Sequence, residues 1–180
     1  MADAYANGNT EEISSLKTPP HSVEAEQAVL GGLLLDNSVW VRVADIISEE
    51  EFYQKRHKFI FRHISALVDA NKAADAITVS ESLSSTEELE GVGGLAYLGL
   101  LVQNTPSSEN TKRYAEIVRE KAVLRSLAAV ANQIVDSSFS PMGKPASQVV
   151  DEAESKIFAI SEHGSKIQQG FSKLEPVITE

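Results

Sequence analysis

The 180-residue sequence contains no cysteine. It therefore cannot form a disulfide framework, a thiolate zinc site or a cysteine nucleophile. Long apolar runs are also missing, since no stretch approaches the roughly 18 consecutive apolar residues of a membrane-spanning helix. The first residues, MADAYANGNTEEISS, lack the basic and apolar regions of a secretory signal. We therefore expect a globular protein of the cytoplasm with no membrane partner.

Positive charge is scarce as well, with 16 Lys and Arg residues against 26 Asp and Glu residues and a formal net charge of −10. No segment has the strong basic excess that neutralises nucleic-acid phosphates. We therefore expect the chain to bind DNA weakly by itself and its partners to be proteins. A nucleic-acid-binding helical domain stays open as an alternative, and an electrophoretic mobility shift with single-stranded DNA at moderate salt discriminates it.

The signature of nucleotide hydrolysis is incomplete. A phosphate-binding loop has the pattern G-x-x-x-x-G-K-[ST], in which backbone N–H groups surround the phosphates and the hydroxyl residue binds Mg²⁺. Around Gly143-Lys144, the position of the first glycine holds Ser138 and the position of the hydroxyl residue holds Pro145. Neither the loop nor its metal ligand can form, so we expect no cofactor-binding residues in this chain.

Other candidate catalytic groups have simpler explanations. His57 and His63 lie six residues apart, which is not helical i, i+4 spacing, so we expect packed or solvated histidines rather than metal ligands. The acidic run Glu49–Glu51 follows Ser48 in the capping-box pattern S-x-x-E, which accounts for these carboxylates without acid–base catalysis. There is no G-x-S-x-G elbow. The sequence therefore predicts no catalytic and no metal-binding residue.

The spacing of apolar residues predicts an all-α fold in two parts. Residues 1–18 read as a disordered arm, residues 19–108 as a compact head of several helices, and residues 109–163 as a long antiparallel helical hairpin. Within the head, Gly31-Gly32 in an apolar helix indicates a closely packed neighbour, and 76–83 fits either a short helix or an extended piece. Residues 164–180 resemble the start of a linker.

The hairpin carries more apolar surface than one partner helix can cover. Over 109–138 the apolar arc takes roughly two-thirds of the helix circumference, against an ordinary core-facing stripe of about 100°. Either both helices are buried within one globule, or the surplus surface packs against another molecule. Basic residues Arg113, Arg119, Lys121 and Arg125 interleave with Glu116 and Glu120, as on the flanks of an interhelical seam. We favour intermolecular packing, with two hairpins paired isologously.

Five stretches in this order closely resemble the N-terminal domain of the bacterial replicative DNA helicase, the DnaB family. They cover the region 19–163 and are PPHSVEAEQAVLGGLLLDN (Pro19 to Asn37), EEFYQKRHKFIF (Glu50 to Phe61), VGGLAYLGLL (Val92 to Leu101), NTPSSENTKRYAEIVREKAVLR (Asn104 to Arg125) and DEAESKIFAI (Asp151 to Ile160). No single stretch is diagnostic, but five in order at compatible spacings are very specific.

The resemblance implies a collar domain. In that family a helical head and hairpin form a trimer of dimers stacked on a hexameric ATPase ring, and the collar docks primase within the primosome. The intact helicase unwinds duplex DNA 5′ to 3′ at the replication fork, using ATP and Mg²⁺. We expect this chain to be a fragment that ends near the linker towards a RecA-like motor. It should therefore lack helicase activity, contact DNA only through the intact ring, and have a helicase loader as a further partner.

Guided by the residue pattern and the family, we predict two sets of functional residues. Those for helix packing and subunit pairing are Ile117, Leu124, Leu127, Ala131, Ile134 and Val135. Those for primase binding are Glu24, Tyr97, Ala128 and Ile134, of which Tyr97 and Ile134 have simple core packing as the alternative. A rival function is the helicase-interacting C-terminal domain of primase, which has a similar fold. That domain should follow a catalytic region, whereas here a short arm precedes PPHSVEAEQAVLGG.

Overall fold

A computed structural model describes residues 18–165, with side chains to residue 162. Every regular element in this range is helical, which confirms the all-α class. Short 3-10 turns occupy Asn37–Val39 and Glu49–Glu51, and the α-helices in chain order are α1 Val23–Leu35, α2 Trp40–Ala44, α3 Lys55–Asp69, α4 Ala76–Ser85, α5 Leu89–Val92, α6 Gly94–Gln103, α7 Thr111–Phe139 and α8 Ala146–Ser165. Residues 1–17 of the predicted arm and 166–180 of the predicted linker lie outside the described residues.

Side-chain caps fix where several of these helices begin. The Ser22 hydroxyl accepts a hydrogen bond from the Ala25 N–H at the start of α1, and Ser48 and Glu51 form the predicted capping box. A second capping box joins Asp75 to Thr78, where the Asp75 carboxylate accepts from the Thr78 N–H at 2.8 Å. This box explains why the ambiguous segment 76–83 is helical rather than extended.

Helix α1 runs through the centre of the head, and its paired glycines allow two segments to approach it closely. A Cβ atom on Gly31 would lie 2.0 Å from Thr105 Oγ1, and one on Gly32 would lie 2.1 Å from Thr111 Oγ1. Both distances are far below van der Waals contact, so only glycine fits. The closely packed neighbours predicted from the Gly31-Gly32 pair are therefore confirmed as the end of α6 and the start of α7.

The head has an apolar core of the usual kind for a globular domain. Helices α1, α3, α4 and α6 contribute its completely buried side chains, among them Val29, Leu30, Leu33, Ile60, Ile64, Val79, Leu83 and Leu98. The first turns of α7 also belong to this core, because Thr111, Ala115 and Val118 are buried in it. The long helix therefore begins inside the head and continues beyond it.

The hairpin consists of α7 and α8, which run antiparallel. Lys156 Nζ of α8 donates to Gln133 Oε1 of α7 at 3.1 Å. Between the helices lies a tight turn in which Gly143 has a φ of +80° and the Lys144 N–H donates to the Pro141 carbonyl at 3.0 Å. With 29 residues at about 1.5 Å each, α7 is roughly 44 Å long. Its second half therefore extends beyond the head, and the later part of α8 returns to it, where Lys156, Ala159 and Ile160 line a cavity with Glu50 and Glu51.

Candidate protein-interaction surfaces

The residues that could suggest nucleotide chemistry form a turn and its ion pair. Lys144 directs its ammonium group at Glu152, with contacts of 2.9 and 2.8 Å to the two carboxylate oxygens, and Pro145 follows it. The lysine of a phosphate-binding loop must instead reach the phosphates from a loop of free backbone N–H groups. The residues around Gly143-Lys144 therefore do not fit ATP or Mg²⁺.

The other candidate groups of the head, His63 and Glu51, are paired with protein atoms. The His63 ring bonds to Ser82 Oγ through Nδ1 and to Glu88 Oε2 through Nε2, and Glu51 is held in its capping box. In the described part of the chain, no three His, Asp or Glu side chains converge as metal ligands. None of the described helices is long and apolar enough to cross a bilayer.

Helix α7 presents three different faces. Residues three or four apart share a face of an α-helix. One face enters the head through Thr111, Ala115 and Val118, and a second faces α8 through Ser126, Val130, Gln133 and Ser137. The third face carries Leu124, Ala128, Ala131 and Val135, all of which are exposed. The apolar arc that looked too wide for one partner thus has two partners within the chain and an uncovered remainder.

Helix α8 adds to this uncovered surface. Val149 and Lys156 face α7, and each is followed directly by an apolar residue, Val150 and Ile157 respectively. In α7, Leu127 and Ile134 follow Ser126 and Gln133 in the same way. In an antiparallel pair of helices, the residue that follows a contact residue points to the same side of the pair on both helices. We name this surface the hairpin apolar face, which comprises Leu124, Leu127, Ala128, Ala131, Ile134, Val135, Val150 and Ile157.

The large side chains of the hairpin apolar face are substantially exposed. The exposed fractions are 41% for Leu124, 45% for Leu127, 51% for Val135, 55% for Val150 and 46% for Ile157. The head lies on the opposite side of the hairpin, since Arg125, one residue before Ser126, contacts it. A contiguous apolar surface of this kind, away from the body of its own chain, is typical of a protein–protein contact.

The residues predicted for subunit pairing divide into three groups. Leu124, Leu127, Ala131 and Val135 are exposed together on the hairpin apolar face. Ile134 is partly buried on the edge that faces α8, where it lines a crevice with Val149. Ile117 is partly buried and packs against the head core. The hairpin apolar face thus contains five of the six residues, four of them exposed and Ile134 at its edge.

Sequence reasoning missed the contribution of α8 and of the hairpin tip. Val150 and Ile157 lie seven residues apart, a helical spacing that would have identified them as a stripe. Phe158 on α8, and Phe139 and Met142 at the tip, are also exposed, the last two by 86% and 93%. The two tip residues flank Pro141 in a turn, where helical periodicity gives no information.

Two of the arginines that were interpreted as flanks of an interhelical seam join the hairpin to the head. Arg119 Nη1 donates to the Ile46 carbonyl at 2.9 Å and lies near Glu51. Arg125 donates to the carbonyls of Pro20 and Glu51. Its guanidinium group is partly removed from water, and this desolvation lowers the pKa of Arg125 from its ordinary value. The sequence interpretation was wrong for these two residues because their acceptors are backbone atoms, which no charge pattern reveals.

The two head residues predicted for primase binding lie on one surface. Glu24 is exposed in the first turn of α1, three residues before Gln27 on the same helix face. Gln27 Nε2 donates to the Tyr97 hydroxyl at 3.0 Å, which links α1 to α6. Ala128 is exposed on the hairpin apolar face and Ile134 lies at its edge. The four predicted residues therefore fall on two separate surfaces rather than one.

A buried polar network holds Tyr97 from within. The Glu26 carboxylate, 1% exposed, accepts from the Tyr53 N–H at 2.7 Å and the Gln54 N–H at 3.2 Å, and contacts His57 Nδ1 at 2.6 Å. His57 Nε2 lies 2.7 Å from the Tyr97 hydroxyl. The His57 ring therefore links Glu26 to Tyr97, with one ring nitrogen on each. The network satisfies every buried polar group in it.

A helical head and a hairpin with an exposed apolar face together define an all-α domain of two parts. Residues 18–120 match the family model of the DnaB-like helicase N terminal domain, and the chain belongs to this family. The resemblance noted in the sequence is thereby confirmed.

Curated relatives support the same assignment. The chain is 42% identical over 159 residues to the replicative DNA helicase DnaB of Haemophilus influenzae, which covers 88% of this chain and 34% of that protein. It is 34% identical over 169 residues to the DnaB helicase of Geobacillus stearothermophilus, which covers 94% of this chain and 37% of that protein. The chain thus spans about a third of the length of these relatives.

Solved structures have the same fold. The crystal structure of the N-terminal domain of DnaB helicase from Mycobacterium tuberculosis is 34% identical, with a TM-score of 0.76, covering 79% of this chain and 99% of that one. A DnaB-like replicative helicase, whose structure was determined with its interactions with primase, superimposes with a TM-score of 0.62 at 24% identity. It covers 77% of this chain and 31% of that one, and shows likeness of fold alone.

Proposed function

We propose that this chain is the collar domain of a hexameric replicative DNA helicase, in which it joins subunits and docks primase. The observation that carries the proposal is the hairpin apolar face, which lies on the side of the hairpin opposite the head. Leu124, Leu127 and Val135 would bring this surface against an equivalent surface of another subunit. Burial of apolar area at about 25 cal/mol per Å² is the dominant favourable term in such an association.

A second copy of the chain is the partner that best fits this surface. The face is apolar along two antiparallel helices, so pairing it with its own copy produces a four-helix arrangement with side chains interdigitating. A two-fold axis needs only one such surface per chain, which is why isologous dimers are the commonest assembly. In the collar that the family leads us to propose, three such dimers form the hexamer.

The activity of the whole protein is proposed by kinship with the relatives. The intact helicase would unwind duplex DNA 5′ to 3′ at the replication fork in the bacterial cytoplasm, with ATP and Mg²⁺ bound in a motor region outside this chain. A helicase loader is a further proposed partner. Within this chain the proposed roles are assembly and docking, and DNA would be contacted through the intact ring.

Light scattering after gel filtration tests the assembly role. Over a range of protein concentrations, we expect the wild-type chain to form dimers or larger species. A double variant, Leu124→Gln with Leu127→Gln, should shift the mass towards the monomer. The matched control is Val41→Gln with Ile77→Gln, which removes two exposed aliphatic side chains from the head instead. A wild-type chain that is monomeric at every concentration would contradict the proposal.

Primase capture tests the docking role. Glu24→Lys reverses the charge of an exposed side chain on the head, so we expect it to weaken capture of the primase from the same cell. Far-ultraviolet circular dichroism should be unchanged, because the side chain of Glu24 is exposed. Glu90→Lys, a charge reversal on exposed α5, serves as the control. Capture that is the same for both variants and the wild type would remove Glu24 from the docking surface.

A further inference from the structure

Arg56, in the first turn of α3, has a side chain with no acceptor. Its guanidinium carbon lies 4.2 Å from the centre of the Tyr97 ring, which is a stacked cation–π contact. Its Nε atom is buried and has no hydrogen-bond partner. Within residues 18–165, Arg56 forms no ion pair. A partly desolvated guanidinium with an unused N–H is unusual, because buried polar groups in native proteins are normally paired.

Two cations farther along the same helix form ion pairs with carboxylates of the described chain, whereas Arg56 does not. Lys58 Nζ contacts Glu50 Oε2 at 3.0 Å, and Arg62 Nη2 contacts Glu88 Oε1 at 2.6 Å. Lys55 lies over the ring of Phe59, at 5.5 Å from its centre, on the exposed side of the helix. Carboxylates are therefore present next to α3, but none of them pairs with Arg56.

The surface around Arg56 is preorganised from inside the head. His57 and Glu26 hold the Tyr97 hydroxyl, so the ring under the guanidinium is fixed in position. The Tyr97 hydroxyl already has two hydrogen-bond partners within the head, His57 Nε2 and Gln27 Nε2. Because Nε is buried, the Arg56 donors that a partner can reach are those of the two terminal Nη groups. A guanidinium that is already ordered loses little conformational entropy when it forms its bonds.

We propose that Arg56, stacked on Tyr97, binds a carboxylate of the docking protein, and that this contact anchors primase on the head. The inference rests on the proposed docking function and adds the chemistry of the partner. A planar guanidinium offers two parallel N–H donors, a geometry that an Asp or Glu side chain matches bidentately. Glu24, on the same surface, would meet a basic residue. The partner segment therefore carries an acidic residue near a basic one.

A protein carboxylate fits this site better than a nucleic-acid phosphate does. Nucleic acids are bound by several cations along the backbone. Here a single free guanidinium stands on a surface that includes the acidic Glu24 and the half-exposed aliphatic side chain of Leu100, in a chain with a net charge of −10. A surface of one cation, one anion and one apolar side chain is typical of the rim and core of a protein contact.

The affinity of the purified chain for purified primase of the same cell, measured by calorimetry, tests the inference. We expect Arg56→Gln to weaken binding by at least about tenfold, because truncating one partner of a desolvated charge pair leaves the other unpaired. Lys55→Gln removes the same charge one residue away and should change the affinity by less than about twofold. Far-ultraviolet circular dichroism and thermal melting of both variants verify that each is folded.

A zero-length carbodiimide cross-linker locates the carboxylate directly. Arg56→Lys keeps the positive charge and introduces a primary amine, which the reagent couples to a carboxyl group in contact with it. Mass spectrometry should find the introduced amine joined to an Asp or Glu of primase, which a purely structural role for Arg56 would not produce. The wild-type chain, treated identically, should lack this cross-link.

The possible outcomes distinguish a failure of the Arg56 inference from a failure of the proposed primase docking. Wild-type binding to primase with an unchanged affinity for Arg56→Gln overturns the inference and leaves primase docking in place. Absence of wild-type binding overturns both. If Arg56→Gln changes only the self-association of the chain, the carboxylate belongs to a second copy and the inference is wrong. Binding of single-stranded DNA that Arg56→Gln abolishes, in place of an effect on primase, also overturns it.

Discussion

The head and the hairpin use similar apolar residues in opposite ways. In the head, Leu30, Leu33 and Leu98 are completely buried between helices. In the hairpin, Leu124 and Leu127 are more than two-fifths exposed, although they lie on the longest helix of the described chain. Because burial of a Leu side chain stabilises a fold by about 1.5–3 kcal/mol, the hairpin forgoes much of this stabilisation within the single chain.

Helix α7 has both buried and exposed apolar side chains. Its first turns pack in the head core, and its later turns leave an apolar face free. The head core supplies stability to this helix, while the apolar surface of its later turns stays exposed within the chain. The difference between the two regions fits the proposed division of roles, in which the head supplies the stable fold and the hairpin the contact with another subunit.

The largest expected effect is a difference in unfolding free energy between substitution of a buried leucine and substitution of an exposed one. Leu98→Ala removes a side chain that is 0% exposed, so we expect the free energy of unfolding to fall by about 2–5 kcal/mol. Leu127→Ala makes the same chemical change on the hairpin and should cost below about 1 kcal/mol in the monomer. Urea unfolding at a concentration that keeps the chain monomeric measures both. Equal losses would erase the distinction between the regions.

The join between head and hairpin depends on glycine at α1. In Gly32→Ala the new methyl group would lie 2.1 Å from Thr111 Oγ1, so α1 and α7 must move apart, and we expect a loss of about 1–3 kcal/mol. Gly99→Ala on α6 meets no atom within 4 Å and should instead stabilise the chain by up to about 1 kcal/mol. Thermal unfolding of the two variants should therefore shift in opposite directions. A stabilised Gly32→Ala variant would show that α1 and α7 are not closely packed.

Arg125 should contribute to the same join through its hydrogen bonds. Arg125→Met retains an aliphatic stem but leaves the carbonyls of Pro20 and Glu51 without their donor, so we expect a loss of about 1–2 kcal/mol. Arg113→Met is the control, because its i, i+3 pair with Glu116 is largely exposed and worth below about 0.5 kcal/mol. Chemical denaturation compares them, and indistinguishable midpoints would mean that the Arg125 contacts are not stabilising.

The smallest expected effect is a pH dependence confined to the head. Hydrogen bonds from His63 and Arg62 lower the pKa of Glu88 from 4.5 to about 2. A carboxyl group whose pKa is lowered by folding stabilises the folded state above its unfolded pKa, and this contribution is lost as the pH falls from about 4.5 towards 2. Glu88→Gln should reduce stability at neutral pH by up to about 1 kcal/mol, because the group is partly exposed.

The acid titration of unfolding free energy checks this expectation. The Glu88→Gln variant should lose less stability than the wild type between pH 4.5 and 2. Glu90→Gln, which changes an exposed carboxylate two residues away, should follow the wild-type curve. Parallel curves for Glu88→Gln and the wild type would show that Glu88 is not stabilised by His63 and Arg62.

Local patterns were sufficient for the all-α class, the Ser48 capping box and the glycine contacts at α1. The helix over 76–83 was ambiguous because its decisive signal is a capping box led by Asp75, a polar pattern outside the apolar spacing that was counted. The uncovered face of α7 could be inferred from its excess width. Its extension onto α8 depends on the antiparallel pairing, although the seven-residue spacing of Val150 and Ile157 was present in the sequence.

Tertiary pairings account for what the sequence could not predict. Glu26 contacts His57, 31 residues later, and His57 in turn contacts Tyr97, 40 residues beyond. Arg125 bonds to backbone carbonyls 105 and 74 residues earlier. Such partners are set by how helices cross in space, and a residue's type and local spacing contain no information about them.

Concentration-dependent protection of a single thiol tests most directly whether the hairpin apolar face is an intermolecular contact. Because the chain has no cysteine, Ala131→Cys places one reactive thiol on this face, and Ser155→Cys places one on the other side of α8. We expect thiol labelling of Ala131→Cys to slow as the protein concentration rises, and labelling of Ser155→Cys to stay constant. Equal, concentration-independent labelling of both variants would contradict the account.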